Sequence, residues 1–572
     1  MKARLYSSWL NSMRCIVFAM VLLAAGCEFG VDKSSIVRPN YDLLVNCDRP
    51  DLAQASAIIT NALCGTIEVA ENPDDPDGRR IDLNVMLLPA TSAVFRPDPI
   101  FYLAGGPGQS AIDTGVFIFS RLQEARRERD VILVDQRGTG RSHSLECDLS
   151  ETDQGFERTS EDALHIALKR MRDCLSGYDA NPAFYTTPIA MDDLNHVRQH
   201  LGYREINLLG GSYGTRAGLV YIRRHRDTVR SAILDGLAPT TMRIPANIAM
   251  DADAAFARLL TDCHAQIDCR TAFPDLAEHF DELIHRLRKQ PERVSLTHSR
   301  TGESIEGFID AKLFNGVLRN VLYDRLLSTL IPLAIEEAYV GNYQPLASLG
   351  MVFAPEEPVI NISMMASVLC AEDMRITDSA NPTPRFDNQI YDMLAPVCEF
   401  WPRGKIPENY FEPVSSDVPT LLLSGALDPV TPPHYAWQTA ETLSDSQHIV
   451  VAGVGQEAQI EAQAQIAVDV LLGRRLDLHL GAGDRDDLAG RLAQGEDQRL
   501  RHHVLDHGKQ ILGGEIGVLD RHRPGEHARR QLGALAVHVV VDPRLAAVGE
   551  AEGGRAELGA AQGEGGADDG GQ

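Results

Sequence analysis

From residue 456 to residue 572 the chain contains no Ser, Thr, Asn, Cys, Met, Phe, Tyr or Trp, and a single lysine, Lys509. A packed core normally draws on aromatics, and caps and turns draw on Ser, Thr and Asn, so this stretch lacks the usual means of folding as a domain. Its end, 549–572, is low-complexity Gly/Ala/Glu and reads as disordered. Positive charge is also scarce: 54 Lys and Arg face 80 Asp and Glu, a net charge of −26 over 572 residues. That balance argues against a nucleic-acid partner and suits a soluble enzyme with a mild attraction for cationic ligands. No C-x-x-C spacing occurs among the ten cysteines, so no metal site is expected and no cofactor is implied.

Long apolar runs are missing too. Lys2, Arg4 and Arg14 precede an apolar run over 16–25, followed by Gly26 and Cys27. The run is too short for a comfortable membrane span. A basic start, a short apolar core and small residues before Cys27 read as a lipoprotein-type secretory signal over 1–27, with Cys27 as the lipidated residue. The expectation is export to the periplasm or cell envelope, as an outer-membrane lipoprotein, with membrane attachment only through that lipid. Setting Cys15 and Cys27 aside leaves an even set of cysteines, which in an exported chain implies disulfides. Sequential pairing closes short loops and is expected: 47–64, 147–174, 263–269 and 370–398.

The chain is organised around Leu208-Leu209-Gly210-Gly211-Ser212-Tyr213-Gly214-Thr215. An apolar run over 206–209 reads as a buried strand, and a helical pattern runs from Thr215 to about Arg224. Gly-x-Ser-x-Gly between them has the form of a nucleophile elbow, a strained turn that presents a serine hydroxyl at a sheet edge. The glycines two residues either side of Ser212 leave room for backbone that crosses there. Further strands are expected at 81–87, 99–103, 131–134, 231–235, 419–425 and from 448, with helices at about 161–177 and 189–201. That alternation argues for an α/β fold with a parallel sheet covered on both faces. Residues 28–75 show little periodicity and read as an irregular, disulfide-stapled lead-in. Over 239–411 long amphipathic stretches (251–264, 275–288 and 323–341) dominate and strand signals are sparse, as in a helical lid.

Four motifs follow strands in order: Ala104-Gly105-Gly106-Pro107-Gly108, Asp135-Gln136-Arg137-Gly138-Thr139-Gly140-Arg141-Ser142, Gly210-Gly211-Ser212-Tyr213-Gly214 and Leu427-Asp428-Pro429-Val430-Thr431-Pro432. Together, over about 80–455, they resemble the α/β-hydrolase-fold serine aminopeptidases, the proline iminopeptidase and tripeptidyl aminopeptidase-like group. The resemblance implies an α/β-hydrolase core over 76–238 and 412–455, a helical lid over 239–411, and an atypical, disordered tail over 456–572. It implies Ser212 as nucleophile, the N–H groups of Tyr213 and Gly106 as an oxyanion hole, and Asp428 as triad acid, with Asp235 as second choice. It also implies lid carboxylates that grip a substrate amine, here Glu372 and Asp373, although such a pair is more often a solvated face. The function expected is hydrolysis of short peptides from their amino end. The alternatives are a hydrolase of esters or small amides, and a non-catalytic envelope-binding lipoprotein.

The pattern breaks at one place. The family sets its catalytic histidine directly after the last strand, but here Val454-Gly455 is followed by Gln456. Glutamine has no titratable nitrogen and cannot take the serine's proton. His434 and His448 read as packing or surface residues. The tail histidines (479, 502, 503, 507, 522, 527 and 538) lack the strand-to-loop context. One account covers both the missing histidine and the odd tail: a shifted reading frame from about codon 456. The alternative is an added Ala/Arg/Leu-rich helical region.

Overall fold

The computed structural model describes residues 40–149, 158–299, 301–352, 360–374, 385–451, 455 and 539–541. The leader with Cys27, and the tail apart from 539–541, lie outside them. Twelve strands occur among the described residues: β1 (Val45–Asn46), β2 (Leu63–Ala70), β3 (Arg80–Leu88), β4 (Ile100–Leu103), β5 (Val131–Val134), β6 (Ile206–Gly211), β7 (Val229–Asp235), β8 (Glu292–Thr297), β9 (Ser304–Ile309), β10 (Thr420–Gly425), β11 (Ser446–Val451) and β12 (Val539–Val541). All but β8 and β9 form one sheet in the order β1-β2-β3-β5-β4-β6-β7-β10-β11-β12. From β5 through β4, β6, β7 and β10 to β11 every pairing is parallel. The pairings of β1 with β2, β2 with β3, β3 with β5 and β11 with β12 are antiparallel. Every residue of β4, β5 and β10 is buried, as continuous apolar runs covered on both faces require.

Two parts of the lead-in are better ordered than its sequence suggests. Leu63–Ala70 forms β2, burying Ile67 and Val69 while Glu68 faces out, an alternation too short to stand out in the sequence. The Cys47–Cys64 disulfide staples β1 onto it. All four expected pairings are present, with Cα–Cα separations of 4.9 to 5.7 Å, inside the normal range.

The insertion after β7 has a core of its own. Helices Ile244–Ala265, Leu276–Lys289, Ala311–Val321, Ile331–Tyr339 and Gln344–Val352 close around Phe256, Phe280 and Phe314. Contrary to expectation it also contains a hairpin, β8 against β9. This separate core does not extend to residue 411. Helix Ile362–Glu372 is buried along its whole length and joins the main core with Val368, Leu369 and Trp401. A helix apolar all round belongs inside a protein, not on a lid surface. In the tail, the β-branched run Val539–Val541 pairs with the otherwise outermost strand β11 and covers that edge.

Candidate active site

Ser212 sits between β6 and helix Tyr213–His225 with φ 53° and ψ −124°, a conformation that non-glycine residues rarely adopt. Its backbone is pinned on both sides. The Ser212 N–H donates to the Asp235 carbonyl at 2.9 Å, and the Ser212 carbonyl accepts from the Thr215 N–H at 2.9 Å and Oγ1 at 2.6 Å. The flanking glycines have steric reasons. A Cβ at Gly210 would lie 2.5 Å from the Gly214 carbonyl oxygen, and one at Gly214 would lie 2.0 Å from that of Leu103. The turn stays tight against the end of β4 only because both lack side chains. Ser212 keeps partial exposure while Tyr213 is buried.

The Gly105–Gly108 loop lies against the serine, since a Cβ on Gly105 would come 3.4 Å from Ser212 Cβ. Gly106 (φ 105°) and Gly108 (φ 114°) take left-handed conformations that side chains disfavour. The Asp135–Ser142 motif braces this loop. Asp135 Oδ1 accepts from Ser110 Oγ at 2.7 Å and the Ile112 N–H at 3.1 Å. Its Oδ2 accepts from Asn84 Nδ2 at 3.0 Å and the Arg141 N–H at 3.2 Å. Burial pushes this carboxyl above the usual range, although all four donors oppose that. Arg137 grips Asp193 with two parallel bonds of 2.6 and 2.8 Å and reaches the Glu71 carbonyl at 2.7 Å. Asp135 is thus a strut beside the loop, while Arg137 ties the motif to Asp193 and to the end of β2.

Asp428 follows β10, and β6, β7 and β10 run parallel, so it leaves the sheet at the same carboxyl end as Ser212. Its Oδ1 accepts from the N–H groups of Val430 (2.9 Å) and Thr431 (2.8 Å), and its Oδ2 from Thr431 Oγ1 (2.6 Å). Asp235 is buried beside it. Burial, and then the Asp428 charge, push the Asp235 carboxyl well up, and its Oδ1 has no hydrogen-bond partner among the described residues. Of the two candidate acids, Asp428 is the one set in a charge-favouring cradle. Asp251, on the first lid helix, accepts from Tyr435 Oη at 2.9 Å, and burial lifts its carboxyl to about 7.

Among the described residues no histidine stands directly after the last parallel strand. His448 lies within β11 opposite Leu422, with Nε2 3.0 Å from Ser424 Oγ, and His434 stacks on Tyr435. Gly455 is buried so tightly that a Cβ there would lie 2.4 Å from the carbonyl oxygens of Leu322 and Tyr323. Gly455 therefore lies against the segment around Leu322 and Tyr323, and Gln456 lies outside the described residues.

Glu372 and Asp373 require a correction. They are neither solvated nor offered to a substrate, because both are buried with every carboxylate oxygen engaged internally. Glu372 Oε1 accepts from the Thr187 N–H (2.7 Å), and Oε2 from Thr187 Oγ1 (2.9 Å) and the Tyr410 hydroxyl. Asp373 accepts from Arg216 Nη1 (2.7 Å) and the Ile244 N–H (3.0 Å). Sequence reasoning missed Arg216, which lies one turn past Ser212 and also donates to the carbonyls of Ala238, Pro239 and Met242. An arginine on the buried face of an otherwise apolar helix was the available signal.

Burial lifts the Glu372 carboxyl from 4.5 to about 7, against the opposing pull of Tyr410, Arg216 and Thr187 and helped by Asp373. A raised carboxyl pKa adds stability that is complete below about 4.5 and lost as pH rises through about 7. Glu372→Gln is expected to be favoured over wild type increasingly between pH 5 and 8, by up to about 3 kcal/mol. Urea unfolding at several pH values checks this, and a constant difference would refute it.

Two family descriptions match the chain: alpha/beta hydrolase fold over residues 98–281 and TAP-like protein over 382–472. The second match passes through Gln456, so that residue stands inside the recognised stretch and not beyond it. Among known proteins, the chain is 27% identical to serine protease Hip1 of Mycobacterium tuberculosis over 415 residues, 65% of this chain and 77% of the relative. It is 27% identical to a tripeptidyl aminopeptidase of Streptomyces coelicolor over 207 residues, 34% of this chain and 38% of the relative. A proline iminopeptidase structure from Mycobacterium smegmatis aligns with a TM-score of 0.33 at 15% identity, covering 72% of this chain and 98% of that one. Elbow, braced glycine loop and the two family matches agree: the chain is a serine hydrolase of the α/β-hydrolase fold, similar to serine protease and tripeptidyl aminopeptidase relatives.

Proposed function

We propose that this is an exported peptidase that cleaves short peptides from their amino end. The observation that carries the reading is Ser212, held in a strained turn against the Gly105–Gly108 loop with Asp428 at the same carboxyl end of the sheet. In the reaction, Ser212 Oγ attacks the scissile carbonyl, and the oxyanion is received by the N–H groups of Tyr213 and Gly106. The amine leaves with a proton, and water then hydrolyses the Ser212 ester. Asp428 orients the proton-carrying base. The family's place for that base holds Gln456, so this chain is expected to retain only about 10³–10⁴-fold acceleration over water. That same glutamine favours the second reading, an envelope protein that keeps the fold for binding.

Export is supported by the four disulfides together with the leader-like start, and attachment at Cys27 is part of the proposal. Among the described residues no helix is long and apolar enough to cross a membrane. With Glu372 and Asp373 occupied, the grip on a substrate amine falls to other groups. The deciding test compares a fluorogenic tripeptide amide with its N-acetylated form and a short-chain ester. The free-amine peptide is expected to have at least a tenfold higher kcat/KM than the acetylated one. Equal rates, or hydrolysis of the ester alone, would favour the ester or small-amide alternative.

A further inference from the structure

Tyr213 follows the nucleophile directly, and its ring is buried at 2% exposure. Its hydroxyl lies 2.6 Å from Thr187 Oγ1, at the start of helix Thr187–His200. Thr187 has one hydroxyl proton and gives it to Glu372 Oε2 at 2.9 Å, so in this arrangement the Tyr213 hydroxyl is the donor to Thr187. Glu372 is fixed in turn by the Thr187 N–H and the Tyr410 hydroxyl, and it ends helix Ile362–Glu372, which the Cys370–Cys398 disulfide ties down. Thr187, Glu372 and Tyr410 are all at most 1% exposed. Other charged groups around Glu372 are Arg216 and Asp373, which pair with each other.

A strained residue persists only where its surroundings over-determine it. On its N-terminal side Ser212 is fixed by β7 through the Asp235 carbonyl, and its own carbonyl is fixed by Thr215. The residue that follows is fixed by the hydrogen-bond chain. We propose that Tyr213 Oη, Thr187 Oγ1 and Glu372 form a positioning chain that aims the Tyr213 N–H at the substrate oxyanion. The proposal rests on the reading of Ser212 as nucleophile and the Tyr213 N–H as oxyanion donor. It goes further by giving the buried acid at the end of helix Ile362–Glu372 a role in the reaction other than holding the substrate amine. Thr187 and Glu372 act through Tyr213 and touch no reacting atom.

The test uses the full chain and a serine-directed fluorophosphonate, whose phosphoryl oxygen needs the same donor as a substrate oxyanion. Saturation kinetics separate the rate constant of labelling from the affinity of the first encounter. Thr187→Val keeps the shape and removes the hydroxyl, and Tyr213→Phe removes only the hydroxyl with which the chain begins. Each is expected to slow labelling about three- to tenfold without weakening the encounter, the effect of one hydrogen bond. The double variant should be no slower than either single one, and Thr187→Ser should restore the rate. A residue that merely stabilises the fold would lower the melting temperature and leave labelling of the folded fraction unchanged. That result, with the wild type labelled at Ser212, would overturn the positioning chain alone. Absence of Ser212-dependent labelling both in the wild type and in a Gln456→His background, where the same variants are then compared, would overturn both the chain and the reading beneath it.

Discussion

Replacing Gln456 by histidine is expected to raise hydrolysis of a tripeptide amide by a factor on the order of 10²–10⁴. The missing element is a group that takes the proton from Ser212 Oγ and returns it to the leaving amine, and only the base position departs from the family pattern. The rest of the machinery is in place. Asp428 is held by three donors, Ser212 has its elbow conformation, and the glycine loop lies against it. Gly455, directly before the substituted position, is buried against Leu322 and Tyr323. The gain must also depend on Asp428. In the Gln456→His background, Asp428→Asn should cancel most of it, because the imidazole loses the carboxylate that sets its tautomer. In the wild-type background the same change should alter the rate little, since there is no imidazole to orient. This non-additivity distinguishes a rebuilt triad from a general improvement in folding. An unchanged rate in the histidine variant would place the base elsewhere in the chain.

The second large effect concerns the elbow's packing. Gly214→Ala is expected to cost about 3 kcal/mol or more, and Gly211→Ala close to nothing. The two glycines flank the same serine and look equivalent in the sequence. In the structure a Cβ on Gly214 meets the Leu103 carbonyl oxygen at 2.0 Å and that of Ala104 at 2.9 Å, whereas one on Gly211 has nothing within 4 Å. The obstruction is backbone at the end of β4, which cannot rotate away as a side chain can. Relief would require moving the glycine loop proposed to receive the oxyanion, so Gly214→Ala should lose labelling along with stability. Urea midpoints for the two variants check this. Similar midpoints would mean that the elbow is looser than its contacts indicate.

Much of this was legible in the sequence because each motif carries its own steric or chemical signature. Gly210 and Gly214 mark a turn that cannot bear side chains, and the β-branched run Val131–Val134 marks a strand buried on both faces. Cysteine order along the chain was enough to pair all eight bridging cysteines, since each bridge closes a local loop. What failed was long-range. Nothing in the local pattern around Glu372 and Asp373 shows that Thr187, Tyr410, Arg216 and Ile244, remote in sequence, would enclose them. The same distance hid Arg216, whose partners lie on the link into the lid and at the end of a later helix. The lid's extent was overestimated for a related reason. Helix Ile362–Glu372 has the length of a lid helix, but its apolar circumference sends it to the main core. The hairpin β8–β9 was missed because only its inward residues alternate, in strands largely open to solvent.

The most direct test of Ser212 as the reacting nucleophile is fluorophosphonate labelling of the full chain and of its Gln456→His variant, which supplies the missing base, followed by peptide mapping. The account predicts a single adduct on Ser212 that disappears in Ser212→Ala while the fold persists. An adduct on another residue, or equal labelling of Ser212→Ala, would contradict it.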